Sequence, residues 1–148
     1  MKLFLTSYLA GTKELVQNFL AQNDVQEILF IPTAANVEEY QDYVDEGIAA
    51  LKENGYDVTV LDVATAPHSK SVQAIKNSGC LCISGGNTFY LLQELKRNGL
   101  LSLIKQKVQD GMLYIGESAG AIIACPDISY NQIMDDKTVA TELTNYSG

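Results

Sequence analysis

Apolar runs of strand length alternate along this chain with longer segments whose apolar residues recur every three or four positions. Lys2–Thr6, Glu27–Ile31, Asp57–Leu61, Cys80–Ile83 and Met112–Ile115 are the strand-like runs. They are almost continuously apolar, as strands covered on both faces must be. Between them, Leu15, Val16, Phe19 and Leu20 share one helical face, and Val37, Tyr40, Val44, Ile48 and Leu51 share another. Phe89, Leu92 and Leu95 form a third stripe, Leu100, Leu101, Ile104 and Val108 a fourth, and Ser69–Lys76 predicts a weaker helix. Asn54-Gly55, Asn98-Gly99 and Asp110-Gly111 each follow a periodic segment and mark a helix stop. Five strand–helix alternations predict an α/β fold: three layers, α/β/α, around a mostly parallel sheet. With no internal repeat or linker, residues 1–148 read as one unit.

In such sheets ligands bind beyond the carboxyl ends of the strands, so the residues there carry the candidate chemistry. Gly116-Glu117-Ser118-Ala119-Gly120 follows one strand and precedes a helical Ala-Gly-Ala-Ile-Ile-Ala run. The G-x-S-x-G pattern in a strand-turn-helix context predicts a nucleophile elbow, with Ser118 in strained backbone and small neighbours that avoid clashes. Its bland counterpart is a tight turn with an N-cap serine. Ser84-Gly85-Gly86-Asn87-Thr88 is a second strand-to-helix loop, where adjacent glycines let N–H groups approach a ligand. An acyl-transfer site needs two such donors; the residue after the nucleophile, Ala119, supplies one and Gly86 the other. Gly85 and Asn87 are the candidate substrate-binding residues, with Asn87 or Thr88 alternatively serving as helix N-cap.

Composition narrows the function. Eighteen acidic against ten basic side chains, net charge −8, disfavour a nucleic-acid partner, since phosphate recognition needs clustered Lys and Arg. No apolar run approaches the ~20 residues that span a bilayer, and the first residues turn polar too soon for a signal peptide. Cys80, Cys82 and Cys125 are odd in number and without a histidine at zinc-ligand spacing; they read as free thiols in a cytoplasmic protein with no metal or cofactor.

Cys82–Leu92 together with Gly116–Ala121 resembles the S51 serine peptidases, the group of peptidase E (α-aspartyl dipeptidase) with cyanophycinase as a distant relative. The likeness extends over nearly the whole chain, including Ile31-Pro32-Thr33-Ala34. It implies a class I glutamine amidotransferase-like, flavodoxin-like fold and hydrolysis of short peptides through an acyl-enzyme on Ser118, with Gly86 and Ala119 as oxyanion donors. The family's catalytic histidine lies further along than Gly148, so the resemblance implies an inactive 148-residue chain. The only histidine, His68, stands in a polar loop and reads as solvated. Asp127, Asp135 and Asp136 fall where the family keeps its acid, and the choice among them stays open. Glu117 varies in the family and is expected to point away from the reaction. An aspartyl specificity would call for a guanidinium fork, and Arg97, the only arginine, sits about two turns from the Gly-Gly loop; a broader peptidase fits as well. The alternative reading is a non-catalytic amidotransferase-like domain that binds a small molecule or a partner. A homodimer is compatible with either.

Overall fold

Period-two alternation sends successive side chains of a strand to opposite faces, and in the central strands of this chain both faces are apolar. In the computed structural model, which describes residues 1–148, Ile28, Phe30, Cys80, Cys82, Leu113 and Ile115 enter one core. Their neighbours Leu29, Ile31, Leu81, Ile83 and Tyr114 enter a second core on the other side. Five parallel strands, β1 Lys2–Thr6, β2 Glu27–Ile31, β3 Asp57–Val60, β4 Cys80–Ile83 and β5 Leu113–Glu117, are ordered β1-β5-β4-β2-β3. Helices α1 (Lys13–Ala21) and α2 (Asp42–Glu53) cover the first core. Helices α3 (His68–Asn77), α4 (Thr88–Arg97), α5 (Leu100–Gln109) and the single turn α6 (Ala119–Ile122) cover the second. The chain steps outward from β2 to β3, then returns to β4 and β5. Because parallel crossovers keep one hand, that reversal moves the helices to the opposite face. It also makes the loops after β2 and β4 diverge, which opens a crevice at the carboxyl edge.

Three sequence expectations are corrected here. β1 and β3 are edge strands, and Leu3, Leu5 and Val60 are exposed rather than covered. Val37 and Tyr40 do not extend the α2 stripe: Thr33–Val37 is a 3₁₀ turn, and α2 begins only at Asp42. Strand β5 continues to Glu117, two residues beyond its apolar run, because β1 pairs with it through Thr6. After α6 the chain returns over α4 in 3₁₀ turns at Ser129–Ile133 and Lys137–Val139, with Tyr146 edge-on to Phe89 at 5.3 Å. No helix is long and apolar enough to cross a membrane.

Candidate active site

The chain leaves β5 through Ser118 at φ 48°, ψ −105°, and Ser118 is its only non-glycine residue with positive φ. Such geometry is held only where surrounding contacts enforce it. The Ser118 N–H donates to Thr6 O (2.8 Å), extending the β1–β5 ladder, while its carbonyl accepts from Ala121 and Ile122 N–H to start α6. Backbone proximity explains the flanking glycines. A Cβ on Gly120 would lie 2.2 Å from Ile83 O, and one on Gly116 would lie 2.5 Å from Gly120 O. The buried Tyr114 hydroxyl donates to Gly120 O at 2.5 Å, pinning the turn from the helix side. Glu117 and Ala119 are buried, but Ser118 is exposed. With only four residues, α6 has little dipole to offer, so charge stabilisation at this edge falls to individual N–H groups.

The loop after β4 leaves one such group unused. Ser84 N–H donates to Ile31 O, Gly85 N–H to Glu117 Oε2 (3.2 Å), Asn87 N–H to Ala34 O and Thr88 N–H to Asp135 Oδ2. Gly86 N–H alone has no acceptor within the chain, and Gly86 lines a cavity together with Ser118. The missing Gly86 side chain serves a different purpose from the one the sequence suggested. At φ 135° its Cβ would stand 2.2 Å from both C and O of Ala34, so the room is filled by the loop after β2 and is not open to substrate. Gly85 is the glycine that abuts the serine: a Cβ there would meet Ser118 Cβ at 3.4 Å. Ala119, first residue of α6, has no intrahelical acceptor for its N–H.

The other candidates are engaged elsewhere. Asn87 is buried; its Oδ1 caps α4 at Tyr90 N–H (3.0 Å), its Nδ2 donates to Asp136 O (2.9 Å), and it does not line the Ser118 cavity. Asp127 accepts from Ser129 N–H at 2.7 Å, and Asp136 accepts from Thr138 N–H and Oγ1. The Ser129 and Thr138 hydroxyls, and after them the N–H groups of the same residues, hold both carboxyls below the usual aspartate range. Asp135 binds Thr88 N–H and Asn131 Nδ2, each at 2.8 Å. None of the three lines the Ser118 cavity. His68 opens α3, eight positions after the end of β3, and does not line the Ser118 cavity. Arg97 is paired with the buried Glu94 at 2.6 Å.

The cavity, about 470 Å³, is walled by Ser7, Tyr8, Glu38, Tyr40, Tyr43 and Glu46 opposite Gly85, Gly86, Glu117 and Ser118. It holds three carboxylates and no cationic side chain. The Tyr8 hydroxyl donates to Glu46. Burial, then Glu38, Glu117 and Asp135, push the Tyr43 phenol up to about 12. Sequence reading assigned Tyr40 to a core stripe and missed Tyr43 and Glu46; the sign was their place at the start of α2, at the carboxyl edge. Glu117 is a second correction: it faces the cavity rather than away. Alternation puts it on the buried side of β5, where a carboxylate needs partners.

Burial pushes the Glu117 carboxyl above the ordinary glutamate value; the Leu9 and Gly85 N–H groups pull it partly back, and Glu46 adds a small push. The folded chain therefore holds this proton more tightly than the unfolded one. The group favours the fold below the ordinary pKa of about 4.3, and that contribution is lost as pH rises through the raised value. Any melting advantage of wild type over Glu117→Gln is expected to shrink as pH rises above the ordinary glutamate pKa of about 4.3. A difference that stayed constant or grew would contradict this assignment.

The model of peptidase family S51 matches residues 3–148. An uncharacterized peptidase of Listeria innocua is 44% identical over 144 residues, which cover 97% of this chain and 69% of the relative. A peptidase E of Nostoc is 35% identical over 127 residues, 86% of this chain and 50% of that protein. A crystal structure of a candidate peptidase E from Listeria monocytogenes superposes with a TM-score of 0.95 at 44% identity, covering all of this chain and 74% of the other. The fold is accordingly the class I glutamine amidotransferase-like, flavodoxin-like one.

Proposed function

The chain belongs to peptidase family S51, and from that premise we propose that it acts on short peptides as a serine hydrolase, with Ser118 as nucleophile. The observation that carries this reading is the single strained non-glycine backbone, at the exposed serine between two glycines. Ser118 Oγ attacks the scissile carbonyl carbon, and the carbonyl oxygen becomes an oxyanion facing the Gly86 and Ala119 N–H groups. The C–N bond then breaks; the amine leaves with a proton, and an acyl-enzyme remains for water to hydrolyse. An aspartyl side chain would find no cation in this cavity, so the reading is a peptidase of broader preference than α-aspartyl.

One observation favours a second reading. No histidine lines the cavity, and an amidotransferase-like domain that binds a small molecule or partner at this edge would need none. A fluorophosphonate probe separates the two. Slow but saturable labelling is expected in wild type, mapped to Ser118 by peptide mass and absent in Ser118→Ala. Equal labelling of the two proteins would remove the nucleophile and leave the binding reading.

A further inference from the structure

Glu117 stands beside the candidate nucleophile on the α1/α2 side of β5, where its neighbours on the same face, Leu113 and Ile115, are core residues. Its carboxylate reaches two loops at once. Oε1 accepts from Leu9 N–H at 2.8 Å, at the turn after β1, and Oε2 accepts from Gly85 N–H at 3.2 Å, in the loop after β4. Leu9 and Gly85 are both buried, so each N–H would otherwise lack a partner. No other side chain in the protein hydrogen-bonds to both loops.

Two adjacent glycines present two adjacent N–H groups, and backbone as permissive as Gly-Gly does not itself decide which of them faces a ligand. Here the decision is made by an acceptor. Gly85 N–H is drawn down to Glu117, which fixes the peptide plane between Ser84 and Gly85, and the next plane is held by the Ser84 hydroxyl donating to Gly85 O at 3.1 Å. Gly86 N–H is left without an acceptor, and Gly86 lines the cavity. Resting on the nucleophile reading above, we propose that Glu117 is a positioning residue: its two-armed carboxylate fixes the Gly85-Gly86 loop so that Gly86, rather than Gly85, aims its N–H at the reacting oxygen over Ser118. A glutamine of the same length cannot replace it, because its amide offers one acceptor and turns an NH₂ donor toward the other N–H. Aspartate keeps both oxygens but is one methylene too short to span the two loops. A buried carboxylate whose ionisation the fold disfavours is the kind of group kept for a site rather than for stability.

The test is the rate at which the 148-residue chain reacts with a fluorophosphonate, whose phosphoryl oxygen occupies the oxyanion position. Labelling time courses give a rate constant for the folded molecules and, separately, an end-point fraction that counts them. Glu117→Gln is expected to lower the rate constant on the order of tenfold or more with the end-point fraction preserved. Glu117→Asp should do the same and stands in if the glutamine variant does not fold. In wild type the Gly85 amide is expected to resist hydrogen exchange, and in the variants to lose that protection. A merely structural glutamate would instead lower the end-point fraction and leave the rate constant alone, which overturns the proposal. An unprotected Gly85 amide in wild type overturns it as well. Wild-type labelling no greater than that of Ser118→Ala would take away the nucleophile itself, a failure recognisably different from an unchanged Glu117→Gln rate.

Discussion

Gly86→Ala is expected to melt roughly 5 to 20 °C below wild type, whereas Gly85→Ala should melt close to it and yet react far more slowly at Ser118. The two glycines are adjacent, but their surroundings differ in kind. At Gly86 a methyl group would sit 2.2 Å from the carbonyl carbon and oxygen of Ala34 and 2.5 Å from Ala35 N, all backbone, at φ 135°. A non-glycine residue in such a conformation costs on the order of 1–3 kcal/mol, and overpacking against atoms that cannot rotate away costs a similar amount. Together these approach half of a typical domain's stability of about 5–15 kcal/mol. At Gly85 the nearest atoms are Ser118 Cβ and a Tyr43 ring carbon, both at 3.4 Å, an ordinary contact at a backbone that is not left-handed. A methyl there fits the fold but occupies the space in which a substrate carbonyl must approach the serine. Thermal melts and fluorophosphonate labelling of the two variants decide the matter. Unchanged melting of Gly86→Ala, with labelling lost, would mean that Gly86 faces substrate directly and that the Ala34 contact is not what requires the glycine.

The contrast between these glycines also marks where the sequence stopped being legible. Strands β1, β2 and β4 have the bounds their apolar runs predicted, since continuous apolar runs flanked by helical periods leave few alternatives. Gly116-x-Ser118-x-Gly120 was readable because strand, turn and helix lie within ten residues, although only Gly116 answers to the backbone of the turn itself, while Gly120 answers to Ile83 O of β4. Gly86 answers to Ala34, fifty-two positions away, and only the order of β2 and β4 in the sheet brings the two together. The choice among the aspartates stayed open for a different reason. Asp127-Ile128-Ser129 and Asp136-Lys137-Thr138 carry the two-residue spacing of an Asx turn, a local signal that the family position of an acid had overshadowed. Glu117 was expected to point away from the reaction because that position varies in the resembled family. The strand's extension to Glu117 puts it on a buried face instead.

Peptide turnover by the 148-residue chain is expected to lie about 10² to 10⁴ below that of the same site supplied with a positioned base. A serine hydroxyl at neutral pH needs a group to take its proton as the C–O bond forms, and the cavity offers poor choices. Glu46 accepts the Tyr8 hydroxyl, and both Glu117 oxygens are bound by N–H groups. Tyr43, pushed up to about 12, holds its proton at neutral pH and has no free base character. His68 is at the β3 side of the sheet, outside the cavity. The comparison is between this chain and a chimera joining it to the part of the Listeria innocua relative beyond the matched 144 residues, which are 69% of that protein. Release of free amine from a series of unblocked dipeptides, followed at equal concentration, should rise by that factor in the chimera and vanish with Ser118→Ala. His68→Ala should change neither protein. Fast hydrolysis by the short chain, abolished by His68→Ala, would bring the loop after β3 to the serine in solution and make His68 the base; fast hydrolysis abolished by Glu46→Gln would instead assign that role to the Tyr8–Glu46 pair. Either result would remove the need for any residue from outside this chain.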